Sequence, residues 1–146
     1  MARNPIYTNP YRHPEDTGVH VVSRVITLGD LGLADGEFPI GAAEKNAIPL
    51  RAGVRIVTAF DAGTTNVLEI GTEADPDGFI TSTNAGAGAI GTKAGTGALL
   101  GAPLAADTVF YASFTQTGTA ATVGQAIAWV EFIVPRTEDP RTKAGV

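Results

Sequence analysis

Residues 108–117 read TVFYASFTQT and residues 126–135 read AIAWVEFIVP. In the first stretch Phe110, Ala112 and Phe114 alternate with Val109, Tyr111 and Ser113. In the second, Ala128, Val130, Phe132 and Val134 alternate with Ile127, Trp129, Glu131 and Ile133. Successive side chains of a strand point to opposite faces, so this two-residue period predicts two long strands, each with one face against a core. Pro135 ends the second, and a turn containing Gly and Thr separates the two. Working outward, VHVVSRVITL (19–28) is rich in β-branched residues and bounded by Gly18 and Gly29. VRIVTAFD (54–61) sets Val54, Ile56, Thr58 and Phe60 against Arg55, Val57, Ala59 and Asp61. The turn AGTT then leads into NVLEIGT (66–72), which predicts a hairpin. Phe38–Ile40 and Ala47–Leu50 are shorter apolar pieces, and GDLGLADGE (29–37), punctuated by three glycines, reads as a loop.

Composition points the same way. Thr, Val and Ile far outnumber Leu, and Met occurs once. Side chains branched at Cβ are stiff at χ1 and pack well on a pleated surface, which favours strands over helices. Eighteen glycines and nine prolines cut the chain into short elements. Nowhere does a helical 3.6-residue stripe or an internal repeat emerge. A chain of 146 residues suits one domain with a proper core. The expected fold is all-β: a single β-sandwich or jelly roll of about seven or eight antiparallel strands over 19–135, with extended arms at 1–18 and 136–146.

Net charge is −5, and it sits in the middle of the chain: residues 1–18 balance, 136–146 carry +1, and 19–135 carry −6. Binding nucleic acid through phosphates needs Lys and Arg to dominate, so nucleic acid is not the expected partner. Cysteine is absent, which removes disulfides, thiolate metal sites and cysteine nucleophiles. No signal-peptide pattern opens the sequence and no window approaches the roughly 20 apolar residues of a membrane span, so no membrane association is expected.

In the N-terminal segment Pro5, Pro10 and Pro14 hold the backbone extended. A disordered terminus is one reading. Ile6, Tyr7 and Tyr11 support another, an arm that docks its aromatic residues on a neighbouring subunit. Residues 84–107 are small and Gly/Ala-rich, either a mobile loop or a stretch packed closely against other backbone.

Candidate chemistry is sparse. Gly86, Gly88 and Gly91 match a dinucleotide-binding spacing, but that pattern needs a helix to follow, and further glycines follow instead. Glu73, Asp75 and Asp77 before Gly78 resemble half a calcium loop. Asn84 stands where the loop's last bidentate Glu belongs and Pro76 interrupts, so a tight turn with solvated acids is the better reading. His13 and His20 are the only imidazoles, and neither has a nucleophile or ligand spacing around it. Trp129 reads as a core residue. No catalytic residue, cofactor or metal site is expected, and the chain is read as a non-enzyme.

The middle of the chain resembles small structural proteins of tailed bacteriophages, in particular capsid decoration (cement) proteins. The residues carrying the resemblance are Leu50-Arg-Ala-Gly-Val-Arg-Ile-Val, Asn66-Val-Leu-Glu-Ile-Gly-Thr-Glu-Ala-Asp-Pro-Asp-Gly-Phe, Gly101-Ala-Pro-Leu-Ala-Ala-Asp-Thr and Val130-Glu-Phe-Ile-Val. The resemblance implies a jelly-roll-like fold on the outside of a phage head, made in the host bacterial cytoplasm. It also implies the major capsid protein and further copies of the chain, as homodimer or homotrimer, as partners. A head-fibre or tail adaptor is the alternative virion role, and a carbohydrate-binding sandwich the alternative outside it. Arms suit a bridging protein, so Ile6, Tyr7, Tyr11, Arg12, Arg136, Arg141 and Lys143 are the expected capsid-binding residues.

Overall fold

The computed structural model describes residues 19–31, 36–83 and 85–135. They form seven strands and one turn of helix: β1 (Val19–Thr27), α1 (Leu28–Leu31), β2 (Gly36–Ala43), β3 (Ile48–Thr58), β4 (Thr65–Thr72), β5 (Gly91–Ala94), β6 (Thr108–Thr117) and β7 (Gln125–Ile133). All pairings are antiparallel. One sheet has the order β1-β7-β3-β5 and the other β2-β6-β4. Each strand therefore lies in the opposite sheet from the strand before it. No helix among the described residues is long and apolar enough to cross a membrane.

The alternation seen in the sequence sets the core. Phe110, Ala112 and Phe114 of β6 are buried, as are Ala126, Ala128, Val130 and Phe132 of β7. Phenylalanine rings meet between the sheets: Phe60 and Phe114 lie 4.6 Å apart, and Phe110 stands edge-on to Phe79 at 5.2 Å and to Phe132 at 6.1 Å. Such pairs add about 0.5–1.5 kcal/mol each beyond simple burial.

Two expectations about local structure change. β3 and β4 are not a hairpin. β3 pairs with β7 and β5, β4 pairs with β6, and residues 59–64 carry the chain between sheets. Both strands have an apolar face, and opposite sheets let those faces bury one another, which a two-stranded ribbon cannot do. The turn-like AGTT instead holds Asn66, whose side chain bonds the Ala62 amide and carbonyl at 2.9 and 3.1 Å. The second change is in the 29–37 loop, whose ends are structured. Thr27 and Asp30 bond reciprocally around the first turn of α1, the Thr27 amide and hydroxyl both donating to Asp30 Oδ2 at 2.9 Å. The Asp30 amide donates back to Thr27 Oγ1 at 3.3 Å, which makes a capping box.

The short apolar pieces near 38–40 and 47–50 belong to longer strands with bulges. β2 shifts register between Pro39 and Gly41, and β3 shifts between Pro49 and Arg51 and again between Ile56 and Thr58. The second shift in β3 turns Thr58 out to solvent, although its spacing from Ile56 had placed it inward. Proline has no amide for a ladder, so Pro39 falls on an edge strand at a bulge.

Residues 84–107 resolve in favour of close packing along part of their length. The Gly95 amide donates to Ala52 O, Gly97 to Phe79 O and Leu99 to Gly78 O, all at 2.8–2.9 Å. These bonds close one open side of the sandwich. A side chain at Gly97 would run into the Gly78 carbonyl, whereas one at Gly86 would meet nothing within 4 Å. On the other side the Arg24 guanidinium lies 4.7 Å over the Phe38 ring and donates to Pro39 O at 3.4 Å, joining β1 to β2.

Two substitutions test this arrangement. Phe110→Ala should cost about 3–5 kcal/mol of unfolding free energy in urea titrations, since it removes a ring that touches both sheets. Gly97→Ala should cost about 1–3 kcal/mol or more, and Gly86→Ala should stay within about 1 kcal/mol of wild type. Equal losses at the two glycines would show that residues 95–97 are not a tight crossing.

Candidate interaction surfaces

The register places Val19 opposite Ile133, and Ile48 opposite Ile133 on the other side. The chain thus enters β1 and leaves β7 at the same end of the sandwich. The four-residue link 44–47 brings the end of β2 to that end as well, beside the start of β6. The expected arm residues Ile6, Tyr7, Tyr11, Arg12, Arg136, Arg141 and Lys143 lie outside the described residues, as do both expected arms. What the fold supplies is the position where those segments attach.

At this end lies an open depression of about 720 Å³, lined by Glu73, Leu99, Pro103, Leu104, Asp107 and Tyr111 among others. It is mostly apolar, with Glu73 and Asp107 among its lining residues. Lys45 N–H donates to Asp107 Oδ1 at 2.9 Å and Asn46 N–H to Leu104 O at 2.9 Å, which fastens the 99–107 segment to the link before β3.

The 72–78 segment forms the expected turn. Thr72 and Asp75 exchange backbone bonds at 2.9 and 3.2 Å, and the Gly78 amide donates to Asp75 O at 3.1 Å. Burial raises the Asp75 carboxyl pKa, helped by the hydrogen bond its protonated form donates to Asp77 and by the Asp77 charge. Burial, then the charge of Asp77, likewise raises Glu69. Among the described residues no group of three or more His, Asp or Glu is placed to hold a metal ion. The glycines at 86, 88 and 91 lead into strand β5 and not into a helix, so no helix start is available there to cradle a pyrophosphate.

The outer faces of the two sheets differ in character. On the β2-β6-β4 sheet, Ser113 lies between Glu37 and Glu69 in the cross-strand register, with Tyr111, Thr115 and Thr117 along the same strand. Ser113 Oγ is buried with no hydrogen-bond partner among the described residues. This face carries Glu37 and Glu69 alongside apolar Val67 and Val109. On the β1-β7-β3-β5 sheet, Val19, Val21 and Val25 stand 57%, 56% and 49% exposed beside half-buried Ile127, Trp129 and Ile133. That is a correction for Trp129. It shares the parity of Ile127 and Glu131, so it faces outward, half-buried, and not into the core. Its indole lies across Gly53, where any side chain would collide with the ring. His20, on the opposite parity, stacks on Phe132 at 5.4 Å.

At the far end of the sandwich, Asp61 ties the loop after β3 to the loop before β7. Its Oδ1 accepts from the Thr122 and Val123 amides at 2.6 and 3.1 Å, and its Oδ2 from the Thr122 hydroxyl at 2.7 Å. Those donors favour the carboxylate and lower its pKa from 3.8 to about 2, the Thr122 hydroxyl first.

The sequence matches no known protein family and no curated protein. The structure matches three chains from phage capsids. One is from the cyanophage Pam1 capsid asymmetric unit, with TM-score 0.63 and 19% identity over 82% of this chain and 87% of that chain. Another is from the capsid of Ralstonia phage GP4, with TM-score 0.64 and 19% identity over 86% and 90%. The third, from the acidic stable capsid structure of Helicobacter pylori bacteriophage KHP30, has TM-score 0.55 and 10% identity over 80% and 89%. At these identities the likeness is one of fold.

Because the folded-state pKa of Asp61 is depressed, its contribution to stability is full above the unfolded value near 4 and is lost as pH falls toward 2. Asp61→Ala should therefore be less stable than wild type at pH 6, and the gap should close toward pH 2. Glu69 and Asp75, whose pKa values are raised, act in the opposite sense: protonation relieves the partial desolvation of their charge and its repulsion from Asp77. Thermal melts of both proteins across this range check the sign.

Proposed function

We propose that this protein is a structural, non-enzymatic virion component that binds the outside of a bacteriophage capsid and stabilises it by bridging neighbouring capsomers. The observation that carries the reading is the mutual coverage of the fold matches. Each covers at least 80% of this chain and at least 87% of the other, so the matched capsid chains are close to this one in length. A small sandwich within a capsid suits an added, stabilising part.

The strand order supports a jelly roll. Ile80 bridges Ile70 and Gly86 bridges Val67 along the free side of β4. Counting the bridged residues around Ile80 and Gly86 as a ragged eighth strand gives two four-stranded sheets, the chain changing sheet at every step except from β4 to this strand. The shared exit of both termini supports a single capsid-facing end, from which residues 1–18 and 136–146 would reach two neighbours. At about 3.3 Å per extended residue, the longer segment spans up to about 60 Å. Tyr7 and Tyr11 supply anchoring area, and Arg12, Arg136, Arg141 and Lys143 suit an acidic shell surface. Neighbours of Trp129 on the sheet are Ile127, Glu131, Gly53 and Ser23, with Glu131 held in an ion pair by Arg51. A sugar site needs several convergent polar groups left to bind the ligand, so the carbohydrate-binding reading gains little.

Deleting residues 1–17 should leave the sandwich folded by circular dichroism yet abolish co-sedimentation with capsids of the source virus that lack this protein. Retained binding by the truncated chain would remove the arm from the reading. The copy number per particle, by quantitative mass spectrometry, should be comparable to that of the shell protein; a handful of copies would indicate a tail or fibre part instead.

A further inference from the structure

From the surface of the β1-β7-β3-β5 sheet we infer that a second copy of this chain packs there, face to face about a two-fold axis. The inference goes beyond capsid binding and does not depend on it.

Three observations carry it. First, the outward rows of β1 and β7 are mainly apolar, interrupted by Ser23 and Glu131: Val19, Val21 and Val25 are largely exposed and Ile127, Trp129 and Ile133 half so. β-Branched residues on a pleated surface fit best against another such surface, about 10 Å away. Trp129 lies low across Gly53, which keeps the centre of the face flat enough for that approach.

Second, the size fits. Four strands about 4.8 Å apart, with β1 and β7 nine residues long, give a face of roughly 550 Å² in projection. Side-chain relief raises the accessible area toward the about 800 Å² per partner of a standard interface.

Third, the charge fits a partner identical to this chain. The body of the protein is acidic, and two copies would repel at most approaches. This face carries only Glu131 among the acids, paired to Arg51 at 2.7 Å, together with Arg55. Glu37, Glu69, Asp75 and Asp77 belong to the other sheet and its turn. A two-fold packing of the first sheet points those acids away from one another. A face that meets its own copy is self-matching, and the contact closes at two copies.

Sedimentation velocity on the full chain, with no capsid present, tests this. Wild type should sediment as a dimer in the micromolar range. Val21→Lys, on an exposed strand position, should stay folded by circular dichroism and raise the dimer dissociation constant at least about thirtyfold, the scale of losing one anchoring contact. Thr115→Lys on the opposite sheet should leave the dimer intact. The single tryptophan gives a second reading: Trp129 should be protected from iodide quenching in wild type and quenched in the Val21→Lys monomer. A wild-type monomer, a higher oligomer, or a dimer that survives Val21→Lys would each overturn the inference. None of these outcomes would bear on whether the chain binds a capsid.

Discussion

The phenylalanine layer between the two sheets is the contact on which the rest of the molecule depends. Phe110 and Phe114 enter it from β6, Phe132 from β7, and Phe60 and Phe79 from connecting segments. Because side chains alternate along a strand, placing these rings inward fixes which residues of β6 and β7 face out. A one-residue slip in β7 would put Trp129 and Glu131 against Phe110 and turn Phe132 to water. The register of the strands, the chemistry of both outer faces and the exposure of Trp129 thus follow from one burial requirement.

No two consecutive strands of the seven pair with each other, so the open sides of the sandwich need separate closure. Arg24 over Phe38 closes one side and the Gly95–Gly97 crossing the other. The ends are closed by polar side chains that bond backbone amides: Asp61 to Thr122 and Val123 at one end, Asp107 to Lys45 at the other. With the core supplied by apolar faces and the ends by carboxylates, the outer faces are free to differ. One carries Glu37 and Glu69, the other the exposed valines of β1 beside Trp129.

Particular residues show where local reading succeeds and where it stops. The pattern Phe110-x-Ala112-x-Phe114 needed no tertiary information, because a two-residue period has one structural meaning. Thr58 was misplaced because a bulge adds a residue to one strand alone, and nothing within VRIVTAFD marks it. The reciprocal bonds of Thr27 and Asp30 were legible as Thr-x-x-Asp before Leu31, a helix-start signal masked by the glycines around it. Residue type alone puts Trp129 in the core, whereas its parity with Glu131 puts it outside. The alternation was the better guide, since it reflects geometry, whereas the burial of tryptophan is an average over many settings.

The sequence by itself determined that this protein is all-β, which residues of its long strands face inward, and that no familiar catalytic or metal-binding constellation is spelled out in it. These are properties of short stretches, set by side-chain branching, periodicity and spacing. Only the tertiary structure decided that β3 and β4 part into different sheets, that Gly97 must be a glycine, and that both chain ends leave together. It also gathered β1 and β7, a hundred residues apart, into one apolar face. Pairings between distant strands are chosen by whole-core packing, and no local stretch of residues carries that choice.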